Sequence, residues 1–162
     1  MPTFRHEQPQ DLNAIETLLD QVFGDTRHAK ISYRYRDGVS PVETLSHVGH
    51  DGGELVATIR FWPIAIGPEH QPALLLGPIA VRPERKGEGI GVRLIELTLK
   101  MAANMGWGIV ILVGDAAYYN RFGFGAAADY GIVMPDENPE RVQVRFLNEE
   151  MKHVSGKIEK AR

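Results

Sequence analysis

Hydrophobic residues recur at helical spacing in two long segments of the chain. The first segment is predicted to form a helix from Asp11, which can cap it, to Phe23, just before Gly24. The second is predicted to form a helix over residues 89–105, with Gly106 as its carboxyl-terminal cap. The apolar stripes that carry these predictions are Leu12, Ile15, Leu19 and Val22 in the first segment, and Ile90, Leu94, Leu97, Met101 and Met105 in the second.

Shorter apolar runs predict β-strands. Residues 44–50 and 55–66 flank Asp51-Gly52-Gly53, a sequence typical of a hairpin turn. The order strand, helix, strand within residues 74–113 indicates a parallel βαβ unit inside a sheet that is otherwise built from hairpins. The predicted class is therefore a mixed α/β fold. The predicted strands are residues 44–50, 55–66, 74–81, 108–113, 127–134 and 141–147, and a short helix is predicted over residues 116–122.

Composition and charge narrow the function classes. The 162 residues include 18 Lys and Arg, 21 Asp and Glu and no Cys, which gives a formal net charge of −3. This length predicts a single domain over residues 1–162, with the tail beyond about residue 148 as a terminal extension. The lack of Cys excludes disulfides, thiolate metal sites and a cysteine nucleophile. The acidic balance disfavours nucleic-acid partners, and no apolar run reaches the ~18 residues that span a bilayer. Because the opening residues form no apolar secretory segment, the protein is expected to be cytoplasmic.

A glycine-rich loop joins the predicted strand 74–81 to the helix that follows it. The stretch Val81-Arg-Pro-Glu-Arg-Lys-Gly-Glu-Gly-Ile-Gly91 has glycines at alternate positions near its end, which let a ligand approach the backbone closely. Unpaired N–H groups at a helix start attract anions, and Arg85 and Lys86 add positive charge. A pyrophosphate is therefore the predicted ligand; the alternative is a turn that merely joins strand to helix. The P-loop pattern is absent, and the dinucleotide-binding spacing is only partly matched.

Three sequence elements follow one another at a characteristic spacing. They are Leu76-Gly77-Pro78-Ile79-Ala80-Val81, the loop Lys86-Gly-Glu-Gly-Ile-Gly91, and Tyr119-Asn-Arg-Phe-Gly-Phe124. Together they resemble the splayed fourth strand, the acyl-CoA signature and the Tyr-x-x-x-Gly-Phe element of the GNAT family of N-acetyltransferases, in particular its bacterial branch. Lys86 departs from the Arg or Gln that is usual there. The resemblance covers residues 3 to about 147 and implies a GNAT-like acyl-CoA N-acyltransferase fold, with a central, mostly antiparallel sheet, a splayed parallel strand pair and flanking helices.

The resemblance implies that acetyl-CoA is the acyl donor, with its pyrophosphate on the amides of residues 86–91. Because proline lacks an N–H, Gly77-Pro78 in mid-strand disrupts the ladder and would leave the backbone of Ile79 and Val81 free for the pantetheine arm. Asp115 stands where many relatives carry Asn, and it either contacts the pantetheine or caps a helix. The candidate cofactor-binding residues are Ile79, Ala80, Val81, Lys86, Gly87, Glu88, Gly89, Ile90, Gly91 and Asp115.

Acetyl transfer to an amine needs a proton donor for the departing thiolate. The resemblance assigns this catalytic role to Tyr119, and a phenol with a pKa of about 10 suits it. The alternative is a packed ring whose hydroxyl is satisfied within the protein. An ordinary phenol pKa also predicts a fall in rate at high pH that Tyr119→Phe would remove. Tyr118 is expected to point elsewhere, toward the core or the acceptor wall. Since there is no Cys, direct attack by the amine in a ternary complex is favoured.

The general base is left unassigned. His47 and His50 lie three residues apart on a predicted strand, so their side chains face opposite sides of it and are not expected to share a metal ion. Each is interpreted as a surface histidine, and the alternative is that one of them acts as a lone general base. No metal site is predicted. A basic segment falls where relatives wall the acceptor site, and it is interpreted as a solvated face, the alternative being a preference for an acidic acceptor. Its cations are Arg27, Lys30, Arg34 and Arg36.

Other functions compete with an acetyl-CoA-dependent N-acetyltransferase. A noncatalytic acyl-CoA-binding or sensing module would need neither Tyr119 nor the open Gly77-Pro78 strand. An enzyme that acetylates charged transfer RNA is disfavoured by the acidic balance. The acceptor is expected to be a small-molecule or peptide amine, and a homodimer is one of the assemblies left open.

Overall fold

The computed structural model describes residues 2–161, which form nine strands and three α-helices joined by short 3-10 turns. No helix within this part of the chain is long and apolar enough to cross a bilayer. The helices are α1 (Leu12–Phe23), α2 (Ile90–Asn104) and α3 (Ala116–Tyr119). The strands are β1 (Thr3–His6), β2 (His47–Asp51), β3 (Glu54–Ile66), β4 (Gln71–Val81), β5 (Ile109–Val113), β6 (Gly125–Ala126), β7 (Ile132–Val133), β8 (Val142–Phe146) and β9 (Gly156–Lys160).

The strands form a mostly antiparallel sheet in the order β1-β2-β3-β4-β5-β8-β6. The pair β4 and β5, which flanks α2 in the sequence, is parallel. The predicted βαβ unit, the β2–β3 hairpin and the mixed fold class are therefore confirmed. In the tail, β9 pairs with the end of β3 and with the short β7, so residues 156–160 are part of the sheet network.

The parallel pair β4–β5 separates soon after it forms. Its register contains Leu74 opposite Val110 and Leu75 opposite Ile111, and goes no further among the described residues. On the other side of β4, Ile59 faces Ile79 but Phe61 faces Leu76, so that one β3 residue opposes two residues, Gly77 and Pro78. This is a bulge in β4, as the mid-strand proline predicts. The splayed strand pair is thus confirmed.

Alternation along β4 divides the core between two faces of the sheet. Leu74 and Leu76 pack with α2 and with Phe61, whereas Leu75 packs with Tyr35 and Trp62 on the opposite face. After the bulge, Ile79 and Val81 lie with the α2 cluster, and Ala80 packs against α1. The bulge therefore lies where elements from both faces approach the same gap.

The predicted apolar stripe of α2 is wrong in its orientation. Leu97 and Met105 are 37% and 46% exposed, while Thr98 is fully buried. The buried face is rotated by roughly 70° from the predicted stripe, at about 100° per residue. Thr98 can be buried because its hydroxyl donates to the Leu94 carbonyl at 2.8 Å, a satisfied polar group that a hydropathy pattern counts as exposed. The buried residues of the helix are Ile90, Leu94, Ile95, Thr98, Leu99 and Ala102.

The predicted strand over residues 127–134 is also wrong. Ala127–Tyr130 forms a 3-10 helix, which Gly131 ends with a positive φ of 69°, and only Ile132–Val133 is extended. The predicted strand over residues 141–147 is confirmed as β8. The ends of α1 and α2 also agree with the sequence, because Gly24 and Gly106 both adopt positive φ values.

Asp11 does not cap α1 with its side chain, contrary to the sequence prediction. A 3-10 turn over Pro9–Asp11 precedes the helix. The Asp11 carboxylate instead accepts two hydrogen bonds of 2.8 Å from the Arg5 guanidinium and one of 2.7 Å from the backbone N–H of Gln8. These bonds tie strand β1 to the start of α1.

We expect Asp11→Asn to lower the free energy of unfolding by about 1–3 kcal/mol at pH 7, the usual worth of hydrogen bonds to a charged group. The hydrogen bonds from Arg5 hold the pKa of Asp11 below its ordinary value, and the bond from the Gln8 N–H adds a smaller effect in the same direction. A lowered folded-state pKa stabilises the protein above the unfolded pKa of about 3.9, and this stability is lost as the pH falls through the folded value. Urea unfolding at pH 7 and pH 3 measures this, with the exposed Asp129→Asn as control. An equal loss at both pH values would contradict the charge-based explanation.

Candidate active site

A cavity of about 670 Å³ lies where β4 and β5 separate. Gly77, Pro78 and Ile79 form one wall, and the end of β5 with Tyr118 and Tyr119 forms another. The third wall is the basic segment near residues 29–36, on the face opposite to α2. The charged residues that line the cavity are Lys30, Arg36, Asp115, Glu137 and Arg141.

The backbone of β4 presents free hydrogen-bonding groups to this gap. The Arg82 N–H donates to the Val56 carbonyl at 2.8 Å, which makes these two residues a hydrogen-bonded pair. Antiparallel pairs alternate, so Ala80 and Thr58 bond to each other, whereas Ile79 and Val81 direct their N–H and C=O groups away from β3. Because β5 has diverged, these groups of Ile79 and Val81 face the opening. The ladder uses the backbone of Ala80, whose side chain is buried.

The glycine-rich loop brings together unpaired amides at the start of α2. The Lys86 and Glu88 N–H groups donate to the carbonyls of Pro83 and Arg85 at 3.3 and 3.4 Å. The helical bonding starts with the Arg93 N–H, which donates to the Gly89 carbonyl at 3.1 Å. Among the described residues, this leaves no backbone acceptor for the amides of Gly87, Gly89, Ile90, Gly91 and Val92.

The conformation of the loop requires glycine and leaves its surface open. Gly87 and Gly89 have φ values of 89° and 78°, which L side chains rarely adopt. A Cβ atom at either position would meet no heavy atom within 4 Å. The open side is therefore the side on which an anion can reach the amides.

The charges of the loop are not all available to a ligand. The Arg85 guanidinium bonds to the Glu88 carboxylate at 2.7 and 2.9 Å and to Asp51 at 2.8 Å, and it lowers the pKa of Glu88. Lys86 is exposed, and its ammonium forms no ion pair with another residue in the described range. Backbone amides and Lys86 thus supply the attraction for anions, and Arg85 stabilises the loop itself.

Tyr119 lies at the cavity with its hydroxyl unengaged. Its ring meets Tyr118 edge-on at 4.9 Å between centroids and packs near Phe124 at 6.2 Å. Gly114 allows this position, because a Cβ there would come within 2.6 Å of the Tyr119 ring. The hydroxyl makes no hydrogen bond to any other residue between 2 and 161, so the interpretation as a satisfied, packed phenol is not supported. Burial raises the pKa of Tyr119 to about 12, and the expected ordinary value is wrong.

Tyr118 and Asp115 complete this wall of the cavity. The Tyr118 hydroxyl would lie 3.8 Å from a Cβ atom on Gly91, which places it beside the start of α2. The Asp115 carboxylate accepts a hydrogen bond from the Ala117 N–H at 3.0 Å, so its capping role at α3 is confirmed. Asp115 also lines the cavity. Sequence reasoning did not place Tyr118 at the loop, because a contact between residues 91 and 118 depends on how α2 and α3 pack.

The two histidines lie outside this cavity. His47 is 4% exposed, its Nδ1 is 2.8 Å from the Leu45 carbonyl oxygen, and burial lowers its pKa. The predicted surface position of His47 is therefore wrong. His50 is half-buried, with Nε2 3.9 Å from Asp11. The carboxylates that do line the cavity are Asp115 and Glu137. Residues 2–161 contain no group of three side chains arranged to hold a metal ion.

The interpretation of the basic segment as a solvated face is wrong for two of its four cations. Arg27 is buried, bonds to Asp20 at 3.0 Å and to the Tyr33 hydroxyl at 3.0 Å, and also pairs with Glu16. The Arg36 guanidinium is covered by Tyr33, at 4.2 Å from the ring centroid. Arg34 is exposed, as predicted, and pairs with Asp136 at 2.9 Å. The aromatic residues between these arginines are the sequence signal for their burial.

The chain matches a known protein family over most of its length. A family model described as an acetyltransferase (GNAT) domain matches residues 3–127. The chain therefore belongs to the GNAT acetyltransferase family, as the resemblance predicts, and it is an acetyltransferase by family.

Individual acetyltransferases resemble this chain in sequence and in structure. The uncharacterized N-acetyltransferase YhbS of Escherichia coli K12 is 31% identical over 130 residues, which cover 79% of this chain and 76% of YhbS. The crystal structure of Escherichia coli YhbS in complex with CoA matches with a TM-score of 0.86 and 27% identity, over 99% of this chain and 89% of that one. A Brucella melitensis GNAT acetyltransferase in complex with acetyl-CoA matches with a TM-score of 0.75 and 27% identity, over 99% and 96% of the two chains.

Proposed function

We propose that this acetyltransferase moves the acetyl group of acetyl-CoA directly to the amine of a small-molecule or peptide acceptor within a ternary complex. The observation that carries the proposal is the continuous gap between β4 and β5. The free backbone groups of Ile79 line it on one side and the unengaged Tyr119 hydroxyl on the other, and the backbone groups of Val81 next along β4 also point away from β3. The similarity to structures that contain CoA and acetyl-CoA supports this choice of donor.

The groups along β4 and at the start of α2 would hold an acyl-CoA along its length. The pyrophosphate would lie on the loop 86–91 at the positive end of the α2 dipole, held by the free amides of Gly87, Gly89, Ile90 and Gly91, since the amides of Lys86 and Glu88 already bond to carbonyls of the loop. The pantetheine arm would add to the exposed edge of β4 as a short strand, bonded by Ile79 and Val81. Ala80 and Asp115 would flank the pantetheine arm. The backbone of Ala80 is used by the ladder with β3, and the Asp115 carboxylate already accepts a hydrogen bond at the start of α3. The thioester would then reach Tyr119 in the cavity between β4 and β5.

The reaction breaks the C–S bond of the thioester as the C–N bond of the amide forms. The sequence contains no Cys, so an acyl-cysteine intermediate cannot form. The attacking amine releases one proton to solvent. The departing thiolate either takes a proton from the Tyr119 hydroxyl, which solvent then replaces, or is stabilised by a hydrogen bond from that hydroxyl and is protonated by solvent, so that the products are the amide and free CoA thiol. Burial, Arg141 and Arg36 lower the pKa of Lys30, a primary amine in this cavity. The same field would lower the pKa of an acceptor amine and increase its neutral, nucleophilic fraction.

Release of free thiol from acetyl-CoA in the presence of a mixture of amines tests the proposed function. We expect release that depends on the amine, with an equal amount of acetylated product by mass spectrometry. Tight acetyl-CoA binding without thiol release from any amine would favour the noncatalytic binding module. Acetylation of charged transfer RNA, with an affinity that falls steeply with salt, would favour that substrate instead.

Lys86→Ala should weaken CoA binding by at most about fivefold, the effect of one exposed ion pair. The side chain is exposed, and the amides that face the open side of the loop belong to the following residues. Calorimetric titration with CoA at low and moderate salt measures the change, with Lys100→Ala on the exposed face of α2 as control. A loss of a hundredfold or more would show that the Lys86 charge, and not the backbone, dominates phosphate binding.

A further inference from the structure

Arg36 carries a buried positive charge that the protein leaves without a carboxylate. Its Nε and Nη1 atoms are buried and have no hydrogen-bond partner among the described residues. The guanidinium carbon lies 4.2 Å from the Tyr33 ring centroid and 5.8 Å from that of Trp62. Burial lowers the pKa of Arg36 to about 10, which leaves it cationic at neutral pH. An unpaired charge in such surroundings is costly to the folded protein unless a ligand neutralises it.

The neighbouring arginines are different, because each of them is already paired. Arg27 bonds to Asp20 and Glu16, and Arg60 holds Glu7 with bonds of 2.8 and 3.0 Å. These pairs also fix the surroundings of Arg36, since Arg27 donates to the hydroxyl of Tyr33, the ring that covers Arg36. Arg36 is thus positioned by a network of ion pairs in which it does not itself take part.

Arg36 lies where two cavities meet, on the acceptor side of the gap. It lines the 670 Å³ cavity that contains Tyr119 and a second cavity of about 430 Å³ between α1 and Trp62. A Cβ atom on Gly77 would be 3.2 Å from its Nη2, so the guanidinium touches the bulge at which the sheet opens. The start of α2 and Tyr118 belong to the other face of the sheet. A molecule that reaches Arg36 from the second cavity therefore approaches from the side opposite to the predicted phosphate site.

We propose that Arg36 binds a carboxylate of the acceptor, so that the acceptor is a small amine that also carries a carboxylate. This inference rests on the proposed function and narrows its substrate class. A planar guanidinium that lies over the Tyr33 ring and near Trp62 is pre-organised to donate charge-assisted hydrogen bonds to a carboxylate. Lys30 and Arg141 line the same cavity without an ion pair to another residue in the described range, and they add to the attraction.

Matched acceptor pairs test the proposal. Free amino acids and ω-amino acids are compared with their carboxamides, and the dipeptide Ala-Asp amide distinguishes a side-chain carboxylate of a peptide from the carboxylate of a small molecule. We expect kcat/KM to be about 10²-fold higher for the acids, the usual effect of losing one partner of a buried charge pair. In Arg36→Gln this preference should fall to about threefold or less, with an unchanged Kd for acetyl-CoA. Arg34→Gln, an exposed arginine of the same segment, should keep the preference.

Two further measurements separate this proposal from the proposed function. Calorimetric titration of the acids and amides into the CoA-loaded protein should show binding of the acids that depends on Arg36. If the acids bind in this way but no amine is acetylated, the carboxylate site at Arg36 is supported and the proposed transfer reaction is contradicted. Thermal unfolding should show that Arg36→Gln is at least as stable as the parent, because the variant removes an unpaired buried charge. Equal binding and turnover of acids and amides, or a loss of acetyl-CoA affinity in Arg36→Gln, would overturn the assignment.

Discussion

Tyr119→Phe is expected to lower kcat for acetyl transfer by roughly 10²–10³-fold, the usual effect of removing one donor that stabilises developing negative charge. The ring keeps its packing against Tyr118 and Phe124, so the Kd of acetyl-CoA should hardly change. The hydroxyl makes no hydrogen bond within the described chain, so the free energy of unfolding should change by no more than about 0.5 kcal/mol. Steady-state kinetics, calorimetry and urea unfolding of parent and variant measure the three quantities.

The raised pKa of Tyr119 changes the expected pH dependence. Sequence reasoning from an ordinary phenol predicts an alkaline fall in rate that disappears in Tyr119→Phe. Because burial raises this pKa to about 12, the phenol stays protonated over the working range, and neither protein should show such a fall below about pH 10. A phenol of this pKa is also a weaker acid than a thiol of ordinary pKa about 8.5, so complete proton transfer to the thiolate is uphill. The hydroxyl is better suited to stabilise the leaving sulfur by a hydrogen bond.

Tyr130→Phe is the matched control, because Tyr130 is 37% exposed and lies outside the cavity. Its kcat should equal that of the parent. If Tyr119→Phe keeps the parent's kcat and Tyr118→Phe loses it, the donor is Tyr118. If neither substitution lowers kcat, water protonates the thiolate and Tyr119 serves in packing alone.

Gly91→Val is expected to raise the Kd of CoA by roughly 10²-fold or more, because charge-assisted hydrogen bonds that hold a phosphate are worth about 1.5–3 kcal/mol each. Without ligand the position tolerates a side chain. Gly91 is helical, and a Cβ there would be 3.5 Å from Val81 and 3.8 Å from the Tyr118 hydroxyl, which are ordinary contacts. The added carbons would instead occupy the space in which the pyrophosphate approaches the amides. Titration calorimetry measures the Kd, and thermal unfolding without CoA checks that the variant is folded.

Gly125→Val provides the control for this experiment. A Cβ at Gly125, in β6, would meet no heavy atom within 4 Å, so this variant should fold and keep the parent's affinity for CoA. Gly89→Val should also lose affinity, but its φ of 78° strains any side chain, so its loss would combine backbone distortion with the steric effect. Unchanged affinity of a folded Gly91→Val for CoA would contradict the assignment of residues 86–91 to the pyrophosphate.

Much of the proposed donor side of the site is predictable from the sequence because its features are local. The bulge at Gly77-Pro78, the glycine-rich loop and the Tyr119 element all lie within residues 76–124, and each depends on backbone rules that act over a few residues. The hairpin at Asp51-Gly52-Gly53 and the helix ends at Gly24 and Gly106 belong to the same group. For these features the residue type alone restricts the φ angle or the supply of backbone hydrogen bonds.

The tertiary structure alone decided which side chains are buried and which charges have partners. The face of α2, the burial of His47 and the raised pKa of Tyr119 depend on contacts with residues far away in the sequence. The proposed acceptor side depends most on such contacts. Arg27 pairs with carboxylates of α1, and Arg60 pairs with Glu7. Arg36 lies near Tyr33, Trp62 and the β4 bulge and has no carboxylate partner. In the sequence, Arg27 and Arg36 belong to one basic segment and Arg60 lies in an apolar strand, and neither setting shows which arginine has a carboxylate partner. Desolvation and Coulomb interactions act through space, so only the packed chain distinguishes the paired arginines from the one that has no carboxylate partner.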